Sequence, residues 1–189
     1  LGAVLKPVHT IAGDGLHGLA SAAMLILTGK FDLVAVEGHS KASNILTLPE
    51  ITAHAQDPVL NRPLRINSHF IAGLDMNRFL HETGNTHEAC ASVVVKNRFN
   101  ALANPSAAYG ADLTINDVLY GPPLSWPLGE RESSREADGA VVMVLASEKV
   151  AKNLTDLPIW IQGIGWANGS ASLESREWGF APYLGEAAR

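Results

Sequence analysis

A glycine-spaced corner near the start of the sequence constrains the fold of this chain more than any other stretch. Residues 8–20 are VHTIAGDGLHGLA. The β-branched residues before Ala12 favour a strand, and an apolar run with helical spacing begins after Gly15. Glycines at such a turn allow a ligand to come close, and a helix start offers N–H groups that no helical carbonyl pairs. The corner therefore predicts a strand, a turn and a helix N-terminus, which form a candidate reaction or binding site.

The corner leads into a pattern typical of a βαβ unit. Residues 16–28 place apolar side chains at helical spacing, and Gly29 follows where a helix would end. Residues 31–37, FDLVAVE, are typical of a short buried strand. A strand, a helix and a second strand within roughly forty residues predict parallel strands joined by a right-handed crossover.

The remaining sequence predicts a long loop region, two helices and further strands. Breaker-rich residues 38–67 indicate an excursion that covers one end of the sheet, since ordinary connections are shorter. The other elements are a helix at 69–83, a helix at 86–102 that begins with a capping box of Asn85 and Glu88, a helical turn at 115–120, a strand at 139–146, a short helix capped by Ser147, and a strand at 159–167. We therefore expect an α/β fold with a mainly parallel sheet, covering helices and a loop region over the site.

Composition limits the classes of function. The chain has 189 residues, 47% of them hydrophobic, so it can bury a sizeable core. Its formal net charge is −5 with no basic stripe, which argues against a nucleic-acid or anionic-membrane partner. Its single cysteine favours a reducing compartment, and its longest apolar stretch is far below the roughly 20 residues of a membrane span. We expect a cytoplasmic protein of metabolism, and a chain that is a piece of something longer because Leu1 is not an initiator methionine.

Four stretches, in the same order as in the family, resemble the thiolases. The corner resembles the strand-to-helix turn where thiolases carry Cys-Ala-Ser-Gly, and residues 31–44, FDLVAVEGHSKASN, resemble the strand and loop that follow. Residues 95–101, VKNRFNA, followed by Asn104 and Pro105, resemble the VKNR…NA…NP signature of the sterol-carrier and archaeal acetyl-CoA acetyltransferase branch. Residues 137–147, ADGAVVMVLAS, resemble the SDGAAAVVLAS strand.

The resemblance covers nearly the whole chain but only the middle of the family's length. It implies that residues 1–147 are the later part of the N-terminal thiolase-like half, with the loop region at 38–128. It also implies that residues 148–189 are a linker and the start of the C-terminal half. The Gly-His-Pro and second-cysteine motifs, which supply the family's general base and acid, fall outside this sequence.

The sequence departs from the family at the nucleophile. Aligning Gly15 with the motif glycine places Ala12 where thiolases have the acyl-accepting cysteine, and alanine cannot form a thioester. Asp14 and His17 are the candidate catalytic residues, since a histidine beside a carboxylate can move protons. The alternative is that Asp14 only caps the helix and His17 is solvated. We expect Gly13, Gly15 and His39 to contact the substrate, with helix N–H groups after Gly13 on the thioester oxygen.

Cys90 and the histidines suggest no further site. Cys90 lies within a predicted helix on an apolar stripe with Val93 and Val94, which favours a buried, inert thiol. The seven histidines lack metal-ligand spacing, so we expect no metal.

Three hypotheses about function remain. The first is an acetyl-CoA acetyltransferase-like enzyme that acts on a carbon–carbon bond next to a CoA thioester. The second is a retro-aldol lyase on a CoA ester that needs no cysteine, and Ala12 favours this hypothesis or the third over the first. The third is a non-catalytic thiolase-like subunit that scaffolds a partner.

The resemblance also implies the partners. The substrate would be an acyl-CoA, with coenzyme A as part of the substrate and no separate cofactor. A homodimer is expected because, in the family, the strand that corresponds to the one ending at Ala12 lies at a subunit interface. An OB-fold partner protein is a further expectation, since archaeal-branch relatives work with one.

Overall fold

The computed structural model describes residues 3–170 and 172–189. Its helices are α1 (Gly15–Leu27), α2 (Leu48–Ala53), α3 (Ser68–Thr83), α4 (His87–Ala101), α5 (Ile115–Leu119), α6 (Glu148–Leu154) and α7 (Pro182–Ala187). Its strands are β1 (Leu33–Ser40), β2 (Pro123–Ser125), β3 (Leu128–Gly129) and β4 (Gly139–Ala146). These residues form two compact units, the first made of residues 3–42 and Asp138–Ile164, the second of Ser43–Ala137 and Gly165–Arg189. The sequence-based division at residue 147 refers to the halves of the thiolase chain and stays a prediction.

The first unit is built on the contact between α1 and the β1–β4 sheet. Ala22 of the helix and Val36 and Leu145 of the strands form its buried core. A Cβ added at Gly18 would lie 2.8 Å from Cγ1 of Val36, so only a glycine lets the helix come this close to β1. Burial of this apolar face stabilises the helix on the sheet.

The sheet of the first unit is antiparallel, and the expectation of a mainly parallel sheet is wrong for the described residues. β1 and β4 pair from Leu33 opposite Ala146 to Ser40 opposite Gly139 without a bulge. The small sheet of the second unit, β2 with β3, is antiparallel as well. Nearly a hundred residues of chain separate β1 from β4, and such a long connection leaves either direction of return open.

Two predicted strands have no ladder partner among the described residues. Residues 8–11 and 159–167 are irregular, so the predicted βαβ unit is not formed. Their side chains stay accessible, with Val8 64% and Ile159 96% exposed. A sequence pattern can favour an extended conformation, but a strand also needs a neighbour that pairs its N–H and C=O groups.

Local capping signals set the helices of the second unit. The Asn67 side chain accepts the N–H of Phe70 at 2.8 Å and begins α3. Gly84, with φ of 66°, ends it in the left-handed conformation that glycine tolerates. The long loop region predicted at 38–67 contains α2 and single helical turns at Ala42–Asn44 and Arg62–Leu64.

Helix α4 differs in detail from its prediction. Its cap is Thr86, whose hydroxyl accepts the N–H of Ala89, and not Asn85. Ala91 is fully buried and packs in the α4–α5 part of the unit with Val118, whereas Val93 is half exposed. Three consecutive valines at 93–95 hide the helical period, so the sequence could not show which of them faces inward.

The strand at 139–146 and the short helix after Ser147 are confirmed. Within the described part of the chain, no helix is both long enough and apolar enough to cross a bilayer.

We predict that Gly18→Ala destabilises the first unit. The added methyl would collide with Val36, and overpacking of this kind costs about 1–3 kcal/mol, more than the roughly 0.5–1 kcal/mol that alanine gains over glycine in a helix. The measurement is urea unfolding followed by circular dichroism.

Gly15→Ala is the matched control, because a Cβ there meets no atom within 4 Å. Val36→Ala should reduce the cost of Gly18→Ala in a double-mutant cycle. Equal losses at Gly15 and Gly18 would contradict the packing argument.

Candidate active site

The side chain of Asp14 caps helix α1 at the corner. Its backbone is extended, with φ of −91° and ψ of −179°, which turns the carboxylate back over the helix start. Oδ1 accepts the N–H of Leu16 at 3.0 Å and the N–H of His17 at 3.1 Å. Aspartate is among the preferred N-cap residues because it satisfies such free N–H groups.

The same carboxylate oxygen holds the imidazole of His17. Nδ1 of His17 lies 2.9 Å from Oδ1 of Asp14, and the two side chains are 60% and 68% exposed. With Asp14 ionised, the hydrogen sits on Nδ1, which leaves Nε2 as an acceptor that faces away from the pair. The sequence-predicted catalytic residues are therefore in direct contact, in an arrangement that can transfer a proton at Nε2.

Hydrogen bonding lowers the pKa of Asp14. The side-chain hydrogen bond from His17 contributes most, followed by the backbone N–H of His17. A carboxylate that accepts several hydrogen bonds is held in its charged form and becomes a weaker base. Asp14 is thus better suited to orient His17 than to accept a proton from a substrate.

The glycines at the corner let its backbone segments come close together and leave the corner free of side chains. A Cβ on Gly13 would lie 3.1 Å from the His17 side chain, while one on Gly15 would meet nothing. A Cβ on Gly38 would lie 3.4 Å from Cα of Gly15, so the end of β1 passes close to the helix start. Ala12, at the position that resembles the thiolase nucleophile, is exposed.

The expectation that several helix N–H groups hold a thioester oxygen needs revision. The N–H groups of Leu16 and His17 already donate to Asp14. The N–H of Gly15, the first residue of α1, is outside this pair of hydrogen bonds. A ligand oxygen at the corner would therefore depend on Gly15.

His39 lies on the other face of β1. A Cβ on Gly38 points to α1, and because side chains alternate along a strand, Glu37 and His39 point to the opposite face. There Nδ1 of His39 contacts Oε1 of Glu37 at 2.6 Å. The sequence reasoning missed Glu37, although the spacing of two residues on a strand places both side chains on one face. Contact of His39 with substrate stays a prediction.

The second unit contains another imidazole–carboxylate pair that the sequence reasoning missed. Nε2 of His87 lies 2.8 Å from Oε1 of Glu132, whose side chain is 4% exposed and also accepts the N–H of Gly129. Burial, and then the charge of Glu132, raises the pKa of the Cys90 thiol. The raised pKa disfavours the reactive thiolate, as an inert thiol requires. Cys90 is only partly buried, however, so the predicted full burial is not found.

The structure suggests no metal centre in the part of the chain that it describes. Within residues 3–170 and 172–189, no group of three or more His, Cys, Asp or Glu side chains could hold an ion.

Comparison with known proteins adds three relatives. The acetyl-CoA acetyltransferase of Methanothermobacter thermautotrophicus is 26% identical over 169 residues, which cover 89% of this chain and 44% of that enzyme. The 17-hydroxy-3-oxo-4-pregnene-20-carboxyl-CoA lyase of Mycobacterium tuberculosis is 34% identical over 86 residues, 45% of this chain and 22% of the lyase. The solved Ltp2-ChsH2(DUF35) aldolase superposes with a TM-score of 0.67 at 24% identity and covers 90% of this chain and 46% of the aldolase chain. No family model matches the sequence.

The chain is related to the thiolase superfamily. The superposition shows that its mixed α/β fold is that of part of the aldolase chain. The chain spans less than half the length of the relatives it matches over most of its own length. At the corner of this mixed α/β fold, Asp14 and His17 form a hydrogen-bonded pair, and Ala12 precedes Asp14 by two residues.

We predict that His17→Gln raises the pKa of Asp14 towards its ordinary value, because the largest cause of the lowered pKa is the hydrogen bond from His17. The measurement is an NMR titration of the side-chain carboxyl carbons. Asp117 is the internal control, since a hydrogen bond from Thr114 lowers its pKa in the other unit.

The same pair makes stability depend on pH. The pKa of Asp14 is lower in the folded than in the unfolded chain, so the pair's contribution is complete above the unfolded pKa and is lost as the pH falls through the folded pKa. As the pH falls below about 4 and through the folded pKa of Asp14, His17→Gln should therefore lose less stability than the wild type. An unchanged pKa of Asp14 in His17→Gln would contradict the hydrogen bond between the two side chains.

Proposed function

We propose that the protein to which this chain contributes cleaves a carbon–carbon bond next to a CoA thioester by a retro-aldol reaction, without a covalent acyl-enzyme. One observation carries the proposal: the corner that resembles the thiolase nucleophile turn has Ala12 at that position and a hydrogen-bonded Asp14–His17 pair beside it. Acyl transfer through an acyl-enzyme needs a thiolate or an activated hydroxyl. Retro-aldol cleavage needs only groups that move protons and stabilise an enolate.

The reaction would proceed on a 3-hydroxyacyl-CoA. Nε2 of His17 takes the proton of the 3-hydroxyl group, the bond between C2 and C3 breaks, and C3 leaves as a carbonyl compound. The electron pair of the broken bond stays on the thioester as an enolate. The proton held by His17 is then delivered to C2, which gives the shortened acyl-CoA and restores the neutral imidazole. Asp14 holds the ring of His17 and stabilises its positive charge while the proton is on it.

The shape of the corner supports binding of a thioester. Gly13 and Gly15 carry no side chains that would exclude it, and Gly15 supplies an N–H at the positive end of the α1 dipole. The enolate oxygen is where negative charge develops, and a fixed N–H placed there is worth several kcal/mol in many enzymes, on the order of 3 kcal/mol.

The relatives support CoA-ester chemistry at a carbon–carbon bond. One is named an acetyl-CoA acetyltransferase and another a CoA lyase, and the solved structure is named an aldolase. The acyltransferase reaction is the weaker candidate for this chain, because Ala12 offers no nucleophile and Cys90 is protonated in the other compact unit.

A non-catalytic role is the second candidate. The exposure of both Asp14 and His17 favours it, since an imidazole in open solvent loses much of the electrostatic advantage of an enclosed site. In that role the chain would be a thiolase-like subunit that binds acyl-CoA or scaffolds a partner.

We further propose the assembly. Acyl-CoA is the substrate, coenzyme A is part of it, and no separate cofactor is needed. The protein would be a homodimer with an OB-fold partner protein, and it would act in lipid metabolism in the cytoplasm. The name of the solved aldolase, which joins Ltp2 and ChsH2, supports a partner.

We predict that His17→Gln lowers kcat for cleavage of a 3-hydroxyacyl-CoA by about 10²–10⁴-fold in the full-length protein, because general acid–base groups contribute that much. Asp14→Asn keeps a helix-capping oxygen but no longer orients the imidazole, so it should lower kcat by at least about tenfold. Release of the carbonyl product and of the shortened acyl-CoA is measured by coupled assay and mass spectrometry.

His54→Gln, an exposed histidine of the second unit, is the control. Unchanged turnover in both Asp14→Asn and His17→Gln would remove these residues from the reaction. Binding of acyl-CoA without any turnover in the wild type would favour the scaffolding role.

We predict that Ala12→Cys gains a covalent acetyl adduct on incubation with acetyl-CoA, because the corner then has an exposed thiol, two residues before the Asp14 cap, at the position that resembles the thiolase nucleophile. Intact-mass spectrometry measures the adduct, and peptide mapping locates it. Cys90 is the internal control, since its raised pKa keeps it protonated.

An acetyl adduct on the wild-type protein would contradict retro-aldol chemistry without an acyl-enzyme. Acetylation of Cys90 alone in the variant would show that the corner lacks the geometry of a thiolase.

A further inference from the structure

A cavity of about 890 Å³ lies within the second unit, between one face of α3 and residues 176–180. Helix α3 contributes Leu74, Arg78 and Glu82, which are four residues apart and therefore share a face. Trp178 and Phe180 line the other side. The volume falls within the range of roughly 300–1,000 Å³ that is usual for small-molecule sites.

Contacts between α3 and residues 176–180 hold the cavity open. The carboxylate of Asp75 forms an ion pair with Arg176 and accepts the N–H of Gly179 at 3.3 Å. A Cβ on Gly179 would lie 2.7 Å from the backbone N of Phe79, and its φ of +80° is one that glycine tolerates. Both features fix the far wall against the helix, so a ligand would enter a preformed site.

The charged groups of the cavity already have partners. Arg78 pairs with Glu82, and Arg176 pairs with Asp75. His81 also lines the cavity, and its Nδ1 lies 3.7 Å from Oε1 of Glu82. The remaining charged side chain of the lining is Glu177, which is negative. An anionic ligand would therefore find no unpaired arginine, and it would face desolvation next to a carboxylate.

Leu74, Trp178 and Phe180 form the apolar part of the lining, and two of these three side chains are aromatic, while Asn77 is polar. Leu74 is 40% and Phe180 54% exposed, and the guanidinium of Arg176 lies 5.5 Å from the ring centroid of Trp178. Aromatic side chains contribute large apolar area and favour stacking with flat rings. Covering this surface would remove apolar area from water.

We propose that this cavity binds a neutral, ring-shaped apolar ligand. The inference stands on the second unit alone and does not depend on the reaction proposed at the α1 corner. Two dyes with the same ring system test it: N-phenyl-1-naphthylamine is neutral, and 1-anilinonaphthalene-8-sulfonate carries an anionic sulfonate.

The experiment titrates the full-length protein with each dye and follows dye fluorescence. The neutral dye should bind saturably at one site, at least about tenfold more tightly than the sulfonate, because the sulfonate has no unpaired cation. Leu74→Ser should weaken the neutral dye at least about fivefold by removing apolar lining. Leu184→Ser is the matched control, since Leu184 is an exposed helical leucine of the same unit outside the cavity.

A charge variant tests the argument about the arginines. Glu82→Gln frees Arg78 from its partner, so it should increase the affinity for the sulfonate several-fold, by roughly 1 kcal/mol or less, and leave the neutral dye unchanged. Equal effects of Leu74→Ser and Leu184→Ser would show non-specific adsorption and overturn the proposal. Tighter binding of the sulfonate than of the neutral dye to the wild type would also overturn it.

The proposed reaction at the α1 corner and the proposed ligand site in the cavity can be tested independently. His17→Gln should lower turnover as predicted above and leave binding of the neutral dye unchanged, since His17 belongs to the first unit and the cavity to the second. Loss of dye binding in Leu74→Ser with turnover intact would support the cavity as a site of its own.

Discussion

The close packing of α1 on the sheet is the interaction on which the candidate site depends. Gly18 lies against Val36 where any larger residue would collide, and Ala22 is buried beside it. The same approach brings the helix start to the end of β1, with Gly15 against Gly38. Because the helix begins there, its cap and its first turn stand at an open corner. Packing of small residues in the core of the first unit thus sets the position of Asp14 and His17 on its surface.

One carboxylate oxygen of Asp14 both caps helix α1 and holds the imidazole of the candidate site. Oδ1 of Asp14 accepts two backbone N–H groups and the imidazole of His17. The sequence presented a helix cap and an acid–base pair as alternatives, but a single side chain fulfils both descriptions. The consequence is a division of roles, since a carboxylate held in its charged form orients and stabilises an imidazole better than it removes a proton.

The two compact units carry different chemistry. The corner of the first unit is polar, exposed and free of thiols, and it stands where the resemblance places the thiolase nucleophile. The cavity of the second unit combines an apolar, partly aromatic wall with arginines that are already paired. In the second unit the contact of His87 with the buried side chain of Glu132 connects α4 to the helical turn at Glu130–Glu132. A buried carboxylate of this kind fixes a fold only when its hydrogen bonds are complete, and both oxygens of Glu132 have partners.

The sequence by itself determined local elements such as α3, expected at 69–83 and found at Ser68–Thr83, and β4 at Gly139–Ala146. It placed Asp14 and His17 three residues apart but left open whether Asp14 only caps the helix or also holds the imidazole, and the structure shows both contacts. Helix caps and the glycines that end helices involve residues that are close in the sequence, so the sequence alone can predict them. Only the tertiary structure decided that β1 meets β4 antiparallel, that residues 8–11 and 159–167 lack a ladder, and that His39 faces away from the corner. Those outcomes depend on which distant segment supplies the hydrogen-bond partner or the packing surface, and residue order alone does not encode that choice.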